Sequence, residues 1–121
     1  MDITATIAKL KAEPGFSEHV GMVLVHNGVV RGTSRADGAR VSAVEVHPDR
    51  DRIAALCREY QARPGIWRVL AEAASGRLLP GDDLLFIVVA GDFRENVKAT
   101  LAEVLDRIKA EAVVKTETCE R

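Results

Sequence analysis

Arg31, Arg94, Lys109 and Lys115 are the residues of this chain whose types and spacing could do chemistry together. Arg94, Lys109 and Lys115 fall at the two ends of one strand–helix–strand unit, and Arg31 stands just before a polar, glycine-containing loop. Arginine grips a phosphate through two parallel N–H donors. Arg94 also lies in the first turn of a helix, where free backbone N–H groups favour anions. Lys109 closes that helix, a place where the macrodipole favours any cation. Each one alone reads most simply as a solvated side chain. Arg94, Lys109 and Lys115 together, in a chain with 17 Lys plus Arg against 18 Asp plus Glu, mark a candidate site for a small anion.

Other chemistry is poorly supported. Ser17, Ser34, Ser42 and Ser75 lack the G-x-S-x-G setting of an activated nucleophile. Cys57 falls in a helix of structural character. His19, His26 and His47 do not have the spacing of a metal motif, and they read as surface or satisfied core residues. Asp82-Asp83 follow a Pro-Gly turn and read as a solvated turn. No G-x-G-x-x-G is present, which argues against a dinucleotide fold. The formal charge of −1 argues against a nucleic-acid surface. No apolar run approaches the length of a membrane span, and MDITATIAKLKAEPG has neither the basic start nor the apolar centre of a signal peptide. Cys57 and Cys119 lie far apart, as two free thiols in a reducing cytosol would. The expectation is a cytoplasmic protein with no nucleic-acid or membrane partner.

The elements that must position the cations follow from local physics. In GRLLPGDDLLFIVVAGDFR, Pro80-Gly81-Asp82 is a turn. The unbroken apolar run 84–90 fits a strand covered on both faces. Gly91-Asp92 breaks it, with Asp92 as N-cap and Glu95 completing a capping box. Val97, Leu101, Val104, Leu105 and Ile108 recur at steps of three and four, the stripe of an amphipathic helix reaching about Ala110. Upstream, 2–12 reads as a helix ended by Pro14-Gly15. The segment 19–31 is β-branched, with Asn27-Gly28 either a hairpin turn or a bulge in one long strand. The loop 32–38 leads to a strand over 40–46. Pro48 starts a helix to about Ala62 with Ile53, Leu56, Cys57 and Tyr60 on one face. The segment 66–74 is ambiguous between a helix, which its Ala and Leu favour, and a strand, which its shortness between turn signals suits, and 111–117 alternates as a strand. The order predicts an α+β fold with a mixed, largely antiparallel sheet and two or three packed helices. At 121 residues the chain suits a single domain, 1–121.

Four stretches carry a family resemblance that spans roughly 21–117. They are GMVLVHNGVVRGTSRADG, VSAVEVHPDR, GRLLPGDDLLFIVVAGDFR, and the helix that ends in Lys109 and is followed by Lys115 and Glu117. In them the chain resembles the catalytic (large) subunit of molybdopterin synthase. The resemblance implies an α/β-hammerhead-like domain and a sulfurtransferase. Its sulfur would come from the thiocarboxylate on the C-terminal Gly-Gly of a small β-grasp carrier subunit. Its substrate would be cyclic pyranopterin monophosphate and its product the molybdopterin dithiolene, with no metal and no cofactor. It also implies a central homodimer of large subunits within a heterotetramer. Carried across by position, Lys115 and Lys109 take the places of the two catalytic pocket lysines, and Arg31 and Arg94 those of the substrate-binding arginines. Phe93 stands where the family usually has histidine. Ala112-Val113-Val114 replaces Pro-x-Trp, with one residue fewer between the lysines. Those departures leave open a diverged, non-catalytic relative that binds the Gly-Gly tail, or a plain dimeric scaffold of this fold.

Overall fold

The apolar run after the 80–82 turn becomes the central strand of a sheet because every side chain along it finds cover. In the computed structural model, which describes residues 1–120, that strand is β5 (Asp83–Gly91). Seven successive residues from Leu85 onward are buried. Before it come α1 (Ile3–Lys11), α2 (Phe16–His19), β1 (Met22–Val29), β2 (Arg40–Pro48), α3 (Arg50–Gln61), β3 (Ile66–Ala73) and β4 (Gly76–Leu78). After it come α4 (Arg94–Glu111) and β6 (Val113–Glu120). The strands form two three-stranded sheets, β1-β5-β3 and β4-β2-β6, antiparallel at each of these pairings. The α+β class is the one the order of elements predicts.

One core lies where α3 and α4 cover the β1-β5-β3 sheet: Leu56, Ile87, Val89, Val97, Val104 and Ile108 are sealed from solvent there. A second, smaller core of Val30, Val41, Val44 and Val46 lies at the other sheet. Gly91 marks the tightest approach in the first. A Cβ there would stand 2.5 Å from the Gly65 carbonyl and 2.8 Å from Val97 Cγ2, so a larger residue would push β5 away from α4.

Several local expectations shift. Asn27-Gly28 is a bulge and not a hairpin: β1 runs through it, and its register to β5 slips between Gly28 and Val29. His19 belongs to the short helix α2 and not to that strand. Pro48 ends β2, and Asp49 caps α3 by accepting from the Arg52 N–H at 3.0 Å. Asp92 does not cap α4. The capping position falls to Phe93, which has no side-chain acceptor, and Asp92 Oδ1 accepts instead from Asn96 Nδ2 at 2.8 Å. The sheets are antiparallel where a mixed sheet was allowed for, and β4 is an edge strand too short to read in advance.

A charged cluster clamps α3 to α4. Arg107 Nε donates to Glu111 Oε2 at 2.7 Å, and Arg107 also bonds Glu59, as Arg52 bonds Glu111. The hydrogen bond from Arg107, and after it the one from Arg52, pulls the Glu111 carboxyl down from 4.5 to about 2. A carboxyl depressed by folding adds stability above its unfolded value, and that stability is lost as pH falls toward the folded value. The melting temperature should therefore drop as pH is lowered from about 5 to 2, and Glu111→Gln should flatten that dependence. Thermal unfolding followed by circular dichroism across the window checks it. A variant with the same slope as the parent would refute the linkage.

Candidate functional site: a cationic cavity between the sheets

The 80–82 turn does more to position Arg31 than to position Arg94. The Val30 N–H donates to the Asp82 carbonyl at 2.9 Å, and the Val30 carbonyl accepts from the Gly81 N–H at 2.8 Å. Val30 is buried by this pairing, and Arg31 follows at the mouth of a cavity of about 490 Å³. Arg31 Nε donates to the Thr33 carbonyl at 3.1 Å, which turns its guanidinium along the start of the 32–38 loop.

Lys109 and Lys115 reach the same cavity from two elements. Lys109 sits in the last turn of α4. Buried Ala112 then reverses the chain, its carbonyl accepting from the Asp49 N–H at 2.7 Å. On β6 the two-residue period of a strand puts Val113, Lys115 and Glu117 on one face, and all three line the cavity. In register, Lys115 faces Val46 and Glu117 faces Val44 on β2, two residues of the small core. The cavity thus has an apolar floor, with Val44, Leu84 and Leu85, under a charged rim.

Among the described residues the rim carries Arg31, Arg35, Lys109 and Lys115 against the carboxylate of Glu117. Among the described residues none of the four cations has a carboxylate within ion-pair distance. Glu117 is itself engaged: the hydroxyl of Ser34, only 6% exposed, donates to Glu117 Oε1 at 3.0 Å. Ser34 also accepts from the Ala36 N–H, and so it fastens the loop that carries Arg35 to strand β6. A concave, cation-rich surface of this kind focuses field on an entering anion.

Of the four residues singled out from sequence, three share this cavity and one does not. Arg94 opens α4 while Lys109 closes it, about 22 Å away along the axis at 1.5 Å per residue. The Arg94 side chain is 80% exposed and pairs with its neighbour Glu95 at 3.4 Å. It cannot reach the Lys109 end within one chain. Lys109 and Lys115 are both exposed.

Two lining residues escaped the sequence reading. Arg35 sits in the polar loop with no pattern to mark it. His26, set aside there as a surface or core residue, borders the cavity from β1. Its imidazole lies over Gly28, where a Cβ would stand 2.9 Å from Nε2, and Nε2 is buried with no hydrogen-bond partner. Burial, and after it the charge of Lys109, lowers the His26 pKa from the ordinary histidine value, which favours the neutral ring. The readable signal was its i, i+2 relation to a glycine, which leaves room for the ring on that face. Among the described residues no cluster of His, Cys, Asp or Glu could hold a metal ion, and no helix is long and apolar enough to cross a membrane.

Comparison with known proteins adds the following. A family model described as MoaE protein matches residues 1–111. A curated relative from Haloferax volcanii, named probable molybdopterin synthase, is 27% identical over 117 residues. That match takes in 93% of this chain and 44% of the relative, so the chain spans less than half the length of the curated protein it matches. The solved molybdopterin biosynthesis MoaE protein of Burkholderia ambifaria superposes with a TM-score of 0.77 at 27% identity, covering 98% of this chain and 77% of that one. A chain in the complex of subunits 1 and 2 of the molybdopterin-converting factor of Helicobacter pylori has the same fold, with a TM-score of 0.70 at 16% identity over 99% of this chain and 80% of that one.

Proposed function

Because the chain belongs to the MoaE family of molybdopterin synthase large subunits, we propose that it is the catalytic subunit of such a synthase, a sulfurtransferase acting as one domain over 1–121. It takes sulfur from the thiocarboxylate at the C-terminal Gly-Gly of a small β-grasp subunit, one atom from each of two such tails, and places both on cyclic pyranopterin monophosphate to form the dithiolene, each tail leaving as a carboxylate with water as the source of its oxygen. The observation that carries this reading is the convergence of Arg31, Lys109 and Lys115 on one cavity. The solved complex of two converting-factor subunits supports a small-subunit partner.

Each residue has a role that suits its chemistry. Arg31 holds the cyclic phosphate through paired N–H donors. Lys115 orients the thiocarboxylate and moves the proton, and Lys109 contacts both tail and substrate. Both amines are exposed in the free chain, within reach of a tail and substrate seated in the cavity. Arg94, at the far end of α4, can serve such a cavity only from a second copy, as a homodimer of large subunits at the centre of a heterotetramer would allow. The reaction draws on side chains alone, in the cytoplasm.

The second reading is a relative that captures the Gly-Gly tail without catalysis. It is favoured by Phe93, 67% exposed and apolar at the position of the family's usual histidine. Mixing the chain with a small β-grasp protein ending in Gly-Gly should give a co-eluting complex on gel filtration. With that partner thiocarboxylated and the cyclic pterin added, dithiolene product should form. A complex without product selects the second reading, and the lack of any complex defeats both.

A further inference from the structure

We infer that His26 is a further anion-binding residue of the cavity, its imidazole taking up one proton from solvent when a dianionic phosphate group is seated beside Lys109. The inference rests on the reading of this cavity as an anion site and deepens it. Three observations carry it. The ring borders the cavity at the foot of the cationic rim. Its Nε2 is buried over Gly28 without a partner in the free chain, a state that costs free energy. Lys109 is close enough for its charge to act on the ring.

The groups facing the imidazole fix the sign. Lys109 approaches from α4, Lys115 and Glu117 from β6, and Arg31 and Arg35 from the chain that follows β1. The neighbouring parts of β1 and β5 are neutral, with Gly28, Leu84 and Leu85. In the empty cavity burial and the charge of Lys109 oppose a charge on the ring, while Glu117, which also lines the cavity, is already bonded to Ser34. A seated dianion offsets the cations and supplies acceptors. The ring then gains by becoming an imidazolium with two donors. Proton uptake and anion binding must therefore favour each other, by the same factor in both directions.

Sulfate is the probe, because it stays doubly charged across pH 5–8 and brings no titration of its own. On saturation with sulfate, the His26 ring resonances of the wild-type chain should titrate about one unit higher, with His19 and His47 as internal references. Sulfate affinity measured by calorimetry should strengthen between pH 7.5 and pH 5.5 severalfold more in wild type than in His26→Gln, with about tenfold as the ceiling that a one-unit shift sets. Every other group of the cavity is retained in the variant, so its contribution cancels in the comparison. Unchanged His26 titration with sulfate bound, or an identical pH dependence in His26→Gln, overturns the inference and leaves the anion site standing. No sulfate binding at either pH removes the anion site and this inference together. Should His26→Gln not fold, the ring titration of the wild-type chain decides alone.

Discussion

Lys115→Ala is expected to cut dithiolene formation by about 10²- to 10⁴-fold, the range that loss of a positioned proton-transfer group produces, while the chain stays folded. The second half of that statement follows from where Lys115 sits. Its side chain is exposed on β6, and the buried apolar contact at that pairing is made by Val46 across on β2. Truncating it removes no core contact, so the stability change should stay within about 0.5 kcal/mol. Lys109→Ala should be milder, because Lys109 contacts tail and substrate but is not the proton carrier in this scheme. Lys115→Arg sharpens the reading. It keeps a cation in the cavity but cannot give up its proton near neutral pH. If charge alone matters, the arginine variant retains most activity; if proton transfer matters, it resembles the alanine variant. Single-turnover product formation, with thermal unfolding as the control for folding, separates these outcomes. Wild-type rates in Lys115→Ala would remove this residue from the chemistry.

The parts of this molecule that were legible in the sequence are those governed by a repeating physical rule. β5 could be read because an apolar run of that length needs cover on both faces, and α4 because its apolar residues recur at helical spacing. Lys115 and Glu117 could be placed on one strand face by period two alone. What could not be read depends on contacts distant in sequence. The short strand β4 has no periodicity of its own and exists because β2 offers an edge. Asp92 looks like a cap in sequence, yet its carboxylate is drawn to Asn96, and the start of α4 is set by packing around Gly65 and Gly91. Arg94 matched a family pattern, but helix length separates it from Lys109. His26 resembles any histidine on a strand until the bulge at Gly28 and the end of α4 are brought together around it. Site residues on separate elements meet only through tertiary structure, so spacing along the chain could group Lys109 with Lys115 but could not add His26 or Arg35.

Ile87→Ala should have the opposite profile from Lys115→Ala, with a large loss of stability and little direct effect on chemistry. Ile87 is fully buried at the middle of β5, paired with His26 of β1 on one side and Ala71 of β3 on the other. It belongs to the same core as Val104 and Ile108 of α4. Replacing a buried isoleucine by alanine loses the transfer free energy of the removed carbons and leaves a cavity, together about 2–5 kcal/mol. For a chain of this size the melting temperature should fall by on the order of 10 °C. Urea unfolding should show a lower midpoint with an unchanged slope, the mark of lost stability without a change in the surface exposed. Below its own melting temperature the variant should still form product, because Arg31, Lys109 and Lys115 are held by other contacts: the 80–82 turn, the end of α4 and the β2–β6 ladder. A loss below about 1 kcal/mol would mean that the core around β5 collapses readily onto the missing atoms. A folded but inactive variant would mean that packing under His26 controls the cavity itself, since Ile87 and His26 are direct cross-strand neighbours on one face.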